Sequence, residues 1–482
     1  MIAIDIYASR IEIYPYYPTE KDPIIDQCST KYDINTHKKY KIGCMYIEEE
    51  SKLIAMRGLN INWVCQSTGS YPSWHRAQPC DKMKGGYKMT VRPRNKDQMQ
   101  AIKFLLSYGE YMNLGKYSQR SLNTEPGFGK TFCSIAAALE RGKRTIIIVH
   151  NSNVMDVWLE TIKSLTTIPK ERVLILQGTE NMKKLMEADI DADVILSLHQ
   201  TLSAFLNAVG YNELRKFMNH LKCGTKIIDE AHLFFKNTIQ IDFCSDIEQN
   251  FYLTGTMSRS DPIEIGLFHR YFSAAPSFGN DLEKTRNVVY TFLTYDSSPS
   301  MDDQVYITTK RGPNASKFID YAIKRDPNQM IIGVMFRAIE RCKEHQGKIL
   351  ILIPKISVIE YVCSLVQQRY PQDIVRGIHS KKSKEENKEA KNSATIIIST
   401  ISGSGTGADI KDLRSMIIME LYSSPITATQ VPNRLRPWTN GKDSYCYEIS
   451  DCGFEPICAQ VRRKTPALKK CCKSVKTEFV KL

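Results

Sequence analysis

The sequence predicts an α/β protein with two parallel-sheet domains and a small sheet-rich unit ahead of them. Three observations carry this. Apolar runs of four to six residues, each followed by a helical stretch, recur in two blocks; the first ninety residues instead alternate apolar and polar positions; and a glycine-rich loop opens a helix at residue 130. At 482 residues the chain is roughly three times the usual single-domain length, so several cores are expected.

Composition narrows the class. Apolar residues make up 42% and charged residues 24%, which excludes wholesale disorder or a collagen-like chain. The longest apolar runs, Thr145 to Val149 and Ile349 to Pro354, are strand-sized and well short of the roughly 20 residues of a membrane span. The start, Met-Ile-Ala-Ile-Asp, lacks a basic and then apolar leader, so a cytoplasmic protein is expected, in the host cytoplasm if the source is viral. The fourteen cysteines are accordingly expected as free thiols. Five of them crowd the last 37 positions without paired C-x2-C spacing or a nearby histidine, and no metal site is assigned there. A formal charge of +14 favours a polyanionic partner, nucleic acid before an anionic membrane.

In chain order, residues 1–88 form the accessory unit, with strands read at Ile2 to Tyr7, Arg10 to Tyr14, Lys39 to Ile47 and Ser51 to Met56. Trp63, Tyr71, Trp74 and Tyr87 in this unit are read as core aromatics, with base stacking as the alternative. Residues 89–289 form the first parallel-sheet domain, with strands beginning at Thr145, Val173, Asp193, Lys226 and Phe251. The Ser-, Asp- and Pro-rich stretch 290–315 reads as a connector. Residues 316–460 form the second domain, with strands at Lys348, Ile374, Ala394 and Ser415. Residues 461–482 read as a basic tail: from Arg462 onward eight basic residues face one acid, either a solvated end or a phosphate-binding arm.

The chemistry begins at Thr124-Glu125-Pro126-Gly127-Phe128-Gly129-Lys130-Thr131, a phosphate-binding loop with Thr124 in place of the usual first glycine. Gly127 and Gly129 let backbone N–H groups close on phosphate oxygens, Lys130 reaches the β- and γ-phosphates of ATP, and Thr131 offers its hydroxyl to Mg2+ at a helix N-terminus. Asp229 and Glu230 follow the apolar run Lys226-Ile-Ile, at the strand end where open α/β sheets bind ligands. Asp229 is the second magnesium ligand and Glu230 the group that polarises the attacking water.

Together these residues resemble the superfamily 2 helicases and translocases, whose DEAH box is matched by Asp229-Glu230-Ala231-His232; the likeness runs from about residue 93 to 440. It implies two RecA-like domains forming a helicase core. It also implies that Gln98 reads adenine, and that Val149-His150-Asn151 and Thr400 contact nucleic acid. His232, Thr254, Thr256 and Gln430 would couple hydrolysis to movement. Ser399 to Asp409 resembles motif V, with Gly407 and Asp409 at the nucleotide. Gln430 to Arg436 resembles motif VI, in which Arg434 and Arg436 stabilise charge on the transferred phosphoryl group; Asn433 replaces a glycine and Arg436 falls one position early. Within the superfamily the chain resembles UvsW-type branch-migrating helicases of large phages and poxvirus-type transcript-release helicases. The implied function is an ATP-dependent DNA helicase acting on branched DNA. An RNA helicase or transcript-release factor, a restriction-system motor and a catalytically silent binder are the alternatives.

Overall fold

The computed structural model describes residues 2–481 except 34–37, 126, 256–261, 274, 280–285, 310–311, 402–409, 423 and 436–441. Two compact units divide the chain, Met1–Leu282 and Glu283–Leu482. No helix among the described residues is long and apolar enough to cross a membrane.

The accessory sheet comprises β1 (Ala3–Ile6), β2 (Arg10–Tyr14), β5 (Cys44–Ile47), β6 (Lys52–Met56) and β7 (Ser73–Trp74), in the order β5-β6-β2-β1-β7; β3 (Ser29–Asp33) and β4 (Lys38–Ile42) form a separate hairpin. The run expected from Lys39 to Ile47 is split at Gly43. That residue has φ +106°, and a Cβ on it would lie 3.0 Å from the Leu267 side chain.

The first parallel sheet follows: β8 (Gln119–Asn123), β9 (Thr145–Val149), β10 (Val173–Ile175), β11 (Val194–Leu198), β12 (Thr225–Ile228), β13 (Gln249–Thr254) and β14 (Ser277–Phe278), ordered β10-β11-β9-β12-β13-β8-β14 and parallel throughout. The boundary expected near residue 88 is not a break in packing. Ile4, Ile11, Ile13, Leu53 and Ile54 of the accessory sheet lie in one continuous buried cluster with Phe235, Leu267, Phe268 and Tyr271. The apolar face of so small a sheet has no other way to leave water.

The second unit repeats the architecture with β15 (Val288–Tyr295), β18 (Lys348–Leu352), β19 (Val375–Ile378), β20 (Ile396–Ser399), β21 (Leu413–Ile418), β22 (Ser444–Asp451) and β23 (Ser474–Phe479), ordered β19-β20-β18-β21-β22-β15-β23; the two-residue strands β16 (Thr308–Thr309) and β17 (Gly312–Pro313) pair apart from it. Both large sheets are the parallel, helix-covered sheets that the apolar runs predict.

Two sequence readings change here. The stretch read as a connector opens inside β15, an eight-residue strand bonded on both sides by β22 and β23. The basic tail is built into the second unit: residues up to Cys471 complete the helix Glu455–Cys471, and β23 runs parallel beside β15. Lys464 is buried in an ion pair with Glu448, Arg462 pairs with Glu455, and Lys473 with Asp443 at 2.6 Å. Three of the eight basic residues are thus paired locally, within an ordered helix and strand.

Candidate active site

β8 carries the chain into the phosphate loop, and the helix Lys130–Arg141 leaves it. Gly127 and Gly129 have φ of +85° and +97°, the left-handed backbone that turns successive N–H groups toward one point. Gly129 is required for a second reason: a Cβ there would stand 2.4 Å from Gln98 Nε2. Lys130 is buried, and its Nζ donates to the carbonyls of Thr124 (2.8 Å) and Glu125 (3.4 Å), which aims it along the loop.

Gln98, expected at adenine, has partners within the protein. Its Oε1 accepts from the Arg94 N–H at 2.7 Å and its Nε2 donates to the Phe128 carbonyl at 2.6 Å. The side chain is buried, and the amide's two faces clamp the phosphate loop to the start of the helix Lys96–Leu106.

Across the same sheet, Asp229 and Glu230 follow β12. Asp229 accepts the Trp158 indole N–H at 2.8 Å and the Glu230 backbone N–H at 3.0 Å. Burial, and then the neighbouring Glu230 carboxylate, push the Asp229 carboxyl above its usual range, while Trp158, Lys130 and His150 act against the shift. Glu230 sits at φ +46°, a strained backbone of the kind held at functional turns. His232 Nδ1 lies 2.9 Å from Thr254 Oγ1 and 3.3 Å from Glu230 Oε2, which ties β13 to the acidic pair. A buried carboxyl crowded by a second one suits a divalent cation, which would relieve the repulsion; Asp229 and the Thr131 hydroxyl are the oxygen donors of the right kind.

The residues expected on a nucleic-acid track have the following surroundings. Asn151 caps the helix Ser152–Leu165 by accepting from the Val154 N–H at 2.9 Å. His150 is buried, its pKa lowered by burial, and Phe234 lies between it and His199 with ring centroids 6.4 and 5.5 Å away. Thr400 is buried as well.

In the second unit Arg434 donates from Nη2 to the Ile401 carbonyl at 2.9 Å, and the Ile401 N–H donates to Glu420 at 3.2 Å. Burial lowers the Arg434 pKa to about 10, opposed by Glu420 and Tyr422. Burial likewise raises that of Glu420. The guanidinium is therefore held against the segment that resembles motif V. Gln430 ends the helix Pro425–Gln430. Pro126, Thr256, Gly407, Asp409 and Arg436 lie outside the described residues.

Comparison with known proteins agrees with this arrangement. The family model of the type III restriction enzyme res subunit matches residues 90–259. A probable helicase of Escherichia phage T5 is 28% identical over 155 residues, 31% of this chain and 29% of that protein. Transcript termination protein A18 of Yaba monkey tumor virus is 22% identical over 352 residues, 70% of this chain and 68% of its own. The vaccinia virus protein of that name is 24% identical over 366 residues, 70% and 66%. The chain thus spans under a third of the phage relative and about two thirds of the poxvirus ones. The fold is shared with S. cerevisiae Dbp5, solved with RNA and ADP BeF3, at TM-score 0.51 and 12% identity over 80% of this chain and 89% of that one.

These likenesses support a superfamily 2 helicase core.

At this candidate site, three partnerships escape sequence reading. Trp158 orients Asp229 from seventy-one positions upstream. Arg94 donates from Nη2 to the Gly127 and Phe128 carbonyls at 2.9 and 3.2 Å. Glu420 faces Arg434 from just beyond β21. None has a spacing signal. The one clue was chemical: an indole or guanidinium near a motif must find an acceptor once buried.

Proposed function

We propose that the protein is an ATP-driven DNA helicase or translocase that remodels branched duplexes during recombination, repair or replication, in the cytoplasm of a phage-infected host. The observation that carries the motor reading is the placement of Lys130 and the Asp229–Glu230 pair at the carboxyl ends of strands in one parallel sheet. ATP is the substrate. The loop N–H groups and Lys130 bind its phosphates, Glu230 takes a proton from the attacking water, and Arg434 is the candidate for stabilising charge on the γ-phosphoryl group. Magnesium, when bound by Thr131 and Asp229, supplies positive charge to the phosphate oxygens. His232 and Thr254 join the acidic turn to β13, which supports reading them as the residues that couple hydrolysis to movement.

The probable helicase of a phage and the restriction-type match at residues 90–259 support the helicase reading. The longer matches to poxvirus transcript termination proteins favour a second reading, action on a transcription complex. The deciding experiment is ATP hydrolysis by the full chain with four-way junctions, forks, blunt duplex of equal length and single-stranded RNA. Junctions and forks are expected to stimulate most. Stimulation by RNA alone, or equal stimulation by linear and branched DNA, would move the assignment to the second reading.

A further inference from the structure

We infer that the first unit carries a second nucleic-acid site, for a single-stranded segment, on the sheet edge opposite the phosphate loop. The inference rests on the reading above in taking nucleic acid as the ligand. A cavity of about 680 Å³ opens there, lined among others by Arg57, Trp74, Arg76, Lys116, Lys143 and Glu248. Lys143 and Glu248 stand just before β9 and β13 and Lys116 just before β8, so this is the amino-terminal edge of the sheet. The phosphate loop leaves the other end of β8, five residues or roughly 16 Å away. The cavity is therefore not the ATP site.

Its chemistry is that of a strand-binding groove. Trp74 is 70% exposed and Tyr71, three residues earlier, 90% exposed, against the expectation that both are core aromatics. Large aromatic surface left in water is the usual mark of a recognition patch. The Arg57 guanidinium lies 5.2 Å over the Trp74 ring and is held by the carbonyls of Tyr7 (2.9 Å) and Ala8 (3.4 Å). Arg76 and Lys116 are exposed. Among the described residues none of these three cations has a carboxylate partner. The one carboxylate in the lining, Glu248, is already matched by Lys143 and by Arg141 at 3.4 Å. The groove thus presents uncompensated positive charge beside a flat aromatic face, the pairing that binds phosphates and stacks unpaired bases. In a duplex the bases are stacked on each other and offer no free face to Trp74, so a single strand is the better fit. For a motor on branched DNA, such a groove would hold a displaced strand away from the ATP-binding edge.

The test uses the full chain, a labelled 20-mer of oligothymidylate and no nucleotide. Binding is followed by anisotropy and by tryptophan fluorescence across a salt series. Trp74→Ala is expected to lose roughly tenfold in affinity together with much of the stacking quench. The double variant Arg76→Glu and Lys116→Glu is expected to flatten the slope of log affinity against log salt by about 1.4, two contacts at about 0.7 each. Basal ATP hydrolysis and circular dichroism should match wild type in all of them, since the altered side chains are exposed. Wild-type affinity, quench and salt slope in these variants would overturn the groove. Absence of any nucleic-acid stimulation of wild-type ATP hydrolysis would overturn the motor reading instead, and leaves the oligonucleotide result to judge the groove separately.

Discussion

Each unit buries a lysine against a carboxylate that also accepts two tyrosine hydroxyls, yet the two clusters join different things. In the first, Asp242 accepts from Lys226 Nζ at 2.5 Å, from Tyr252 at 2.8 Å and from Tyr271. In the second, Glu448 accepts from Lys464, from Tyr290 and, at 3.4 Å, from Tyr422. The first cluster is reached from the accessory sheet: Ser9 Oγ donates to the Asp242 carbonyl at 2.8 Å, and Arg10 donates to the Ser245 carbonyl and pairs with Asp246 and Glu12. The second stays local and fastens the helix Glu455–Cys471 to β22 and β15. Buried ion pairs add little net stability over apolar contacts, but stranding one partner is expensive. In the first unit such contacts tie in the accessory sheet, and in the second the C-terminal helix.

The candidate residues of the two units differ as well, and the largest expected effects probe them. Lys130→Ala and Arg434→Ala should each lower ATP turnover by about a thousandfold. Only Lys130→Ala should also weaken binding of a fluorescent ATP analogue, because its ammonium grips phosphate in the ground state. Equal loss of binding in both variants would erase the contrast.

Next come the buried lysines. Lys226→Met and Lys464→Met should each cost about 3–5 kcal/mol in denaturant unfolding, by leaving a carboxylate buried without its cation. Under limited proteolysis the first should expose residues 1–88 and the second the C-terminal helix and β23. The double change Lys226→Met with Asp242→Leu should recover most of the stability. It should not restore protection of the accessory sheet, if the charges serve specificity.

A smaller effect is expected at Trp158. Trp158→Phe keeps the ring but removes the donor to Asp229, so stability should fall by about 1–3 kcal/mol. Turnover should fall roughly tenfold, with nucleotide affinity nearly unchanged. Unaltered turnover would show that the indole serves packing alone.

The smallest contrast is in pH. His199 is fully buried in the first unit, and burial holds its pKa down to about 3. An unfolded histidine titrates near 6.5. Between those values the unfolded chain binds the extra proton, so stability falls as pH drops from about 6.5 toward 3, by at most about 1.4 kcal/mol per pH unit. His199→Phe should flatten the dependence between pH 7 and 5; an identical slope would assign the acid sensitivity elsewhere.

What could be read in the chain itself was whatever repeats at short range. The runs Thr145 to Val149 and Lys348 to Leu352 announce buried parallel strands because both faces of such strands are covered. Lys130, Thr131, Asp229 and Glu230 announce phosphate chemistry because the loop and the strand end impose residue types at fixed spacing. β8 was invisible: Gln119, Arg120 and Ser121 are polar, and the strand is held between β13 and β14 while its buried Arg120 guanidinium donates to the carbonyls of Leu105, Leu114 and Tyr117. Only tertiary structure could supply those acceptors, just as only it could show that Lys464 is a buried ion-pair member rather than part of a free tail. It likewise decided that Gln98 clamps the loop, that Trp158 steadies Asp229 and that Trp74 faces water. A side chain's periodicity states which face it lies on, whereas its partner is a fact about chain segments far apart in sequence, and burial makes that partner obligatory.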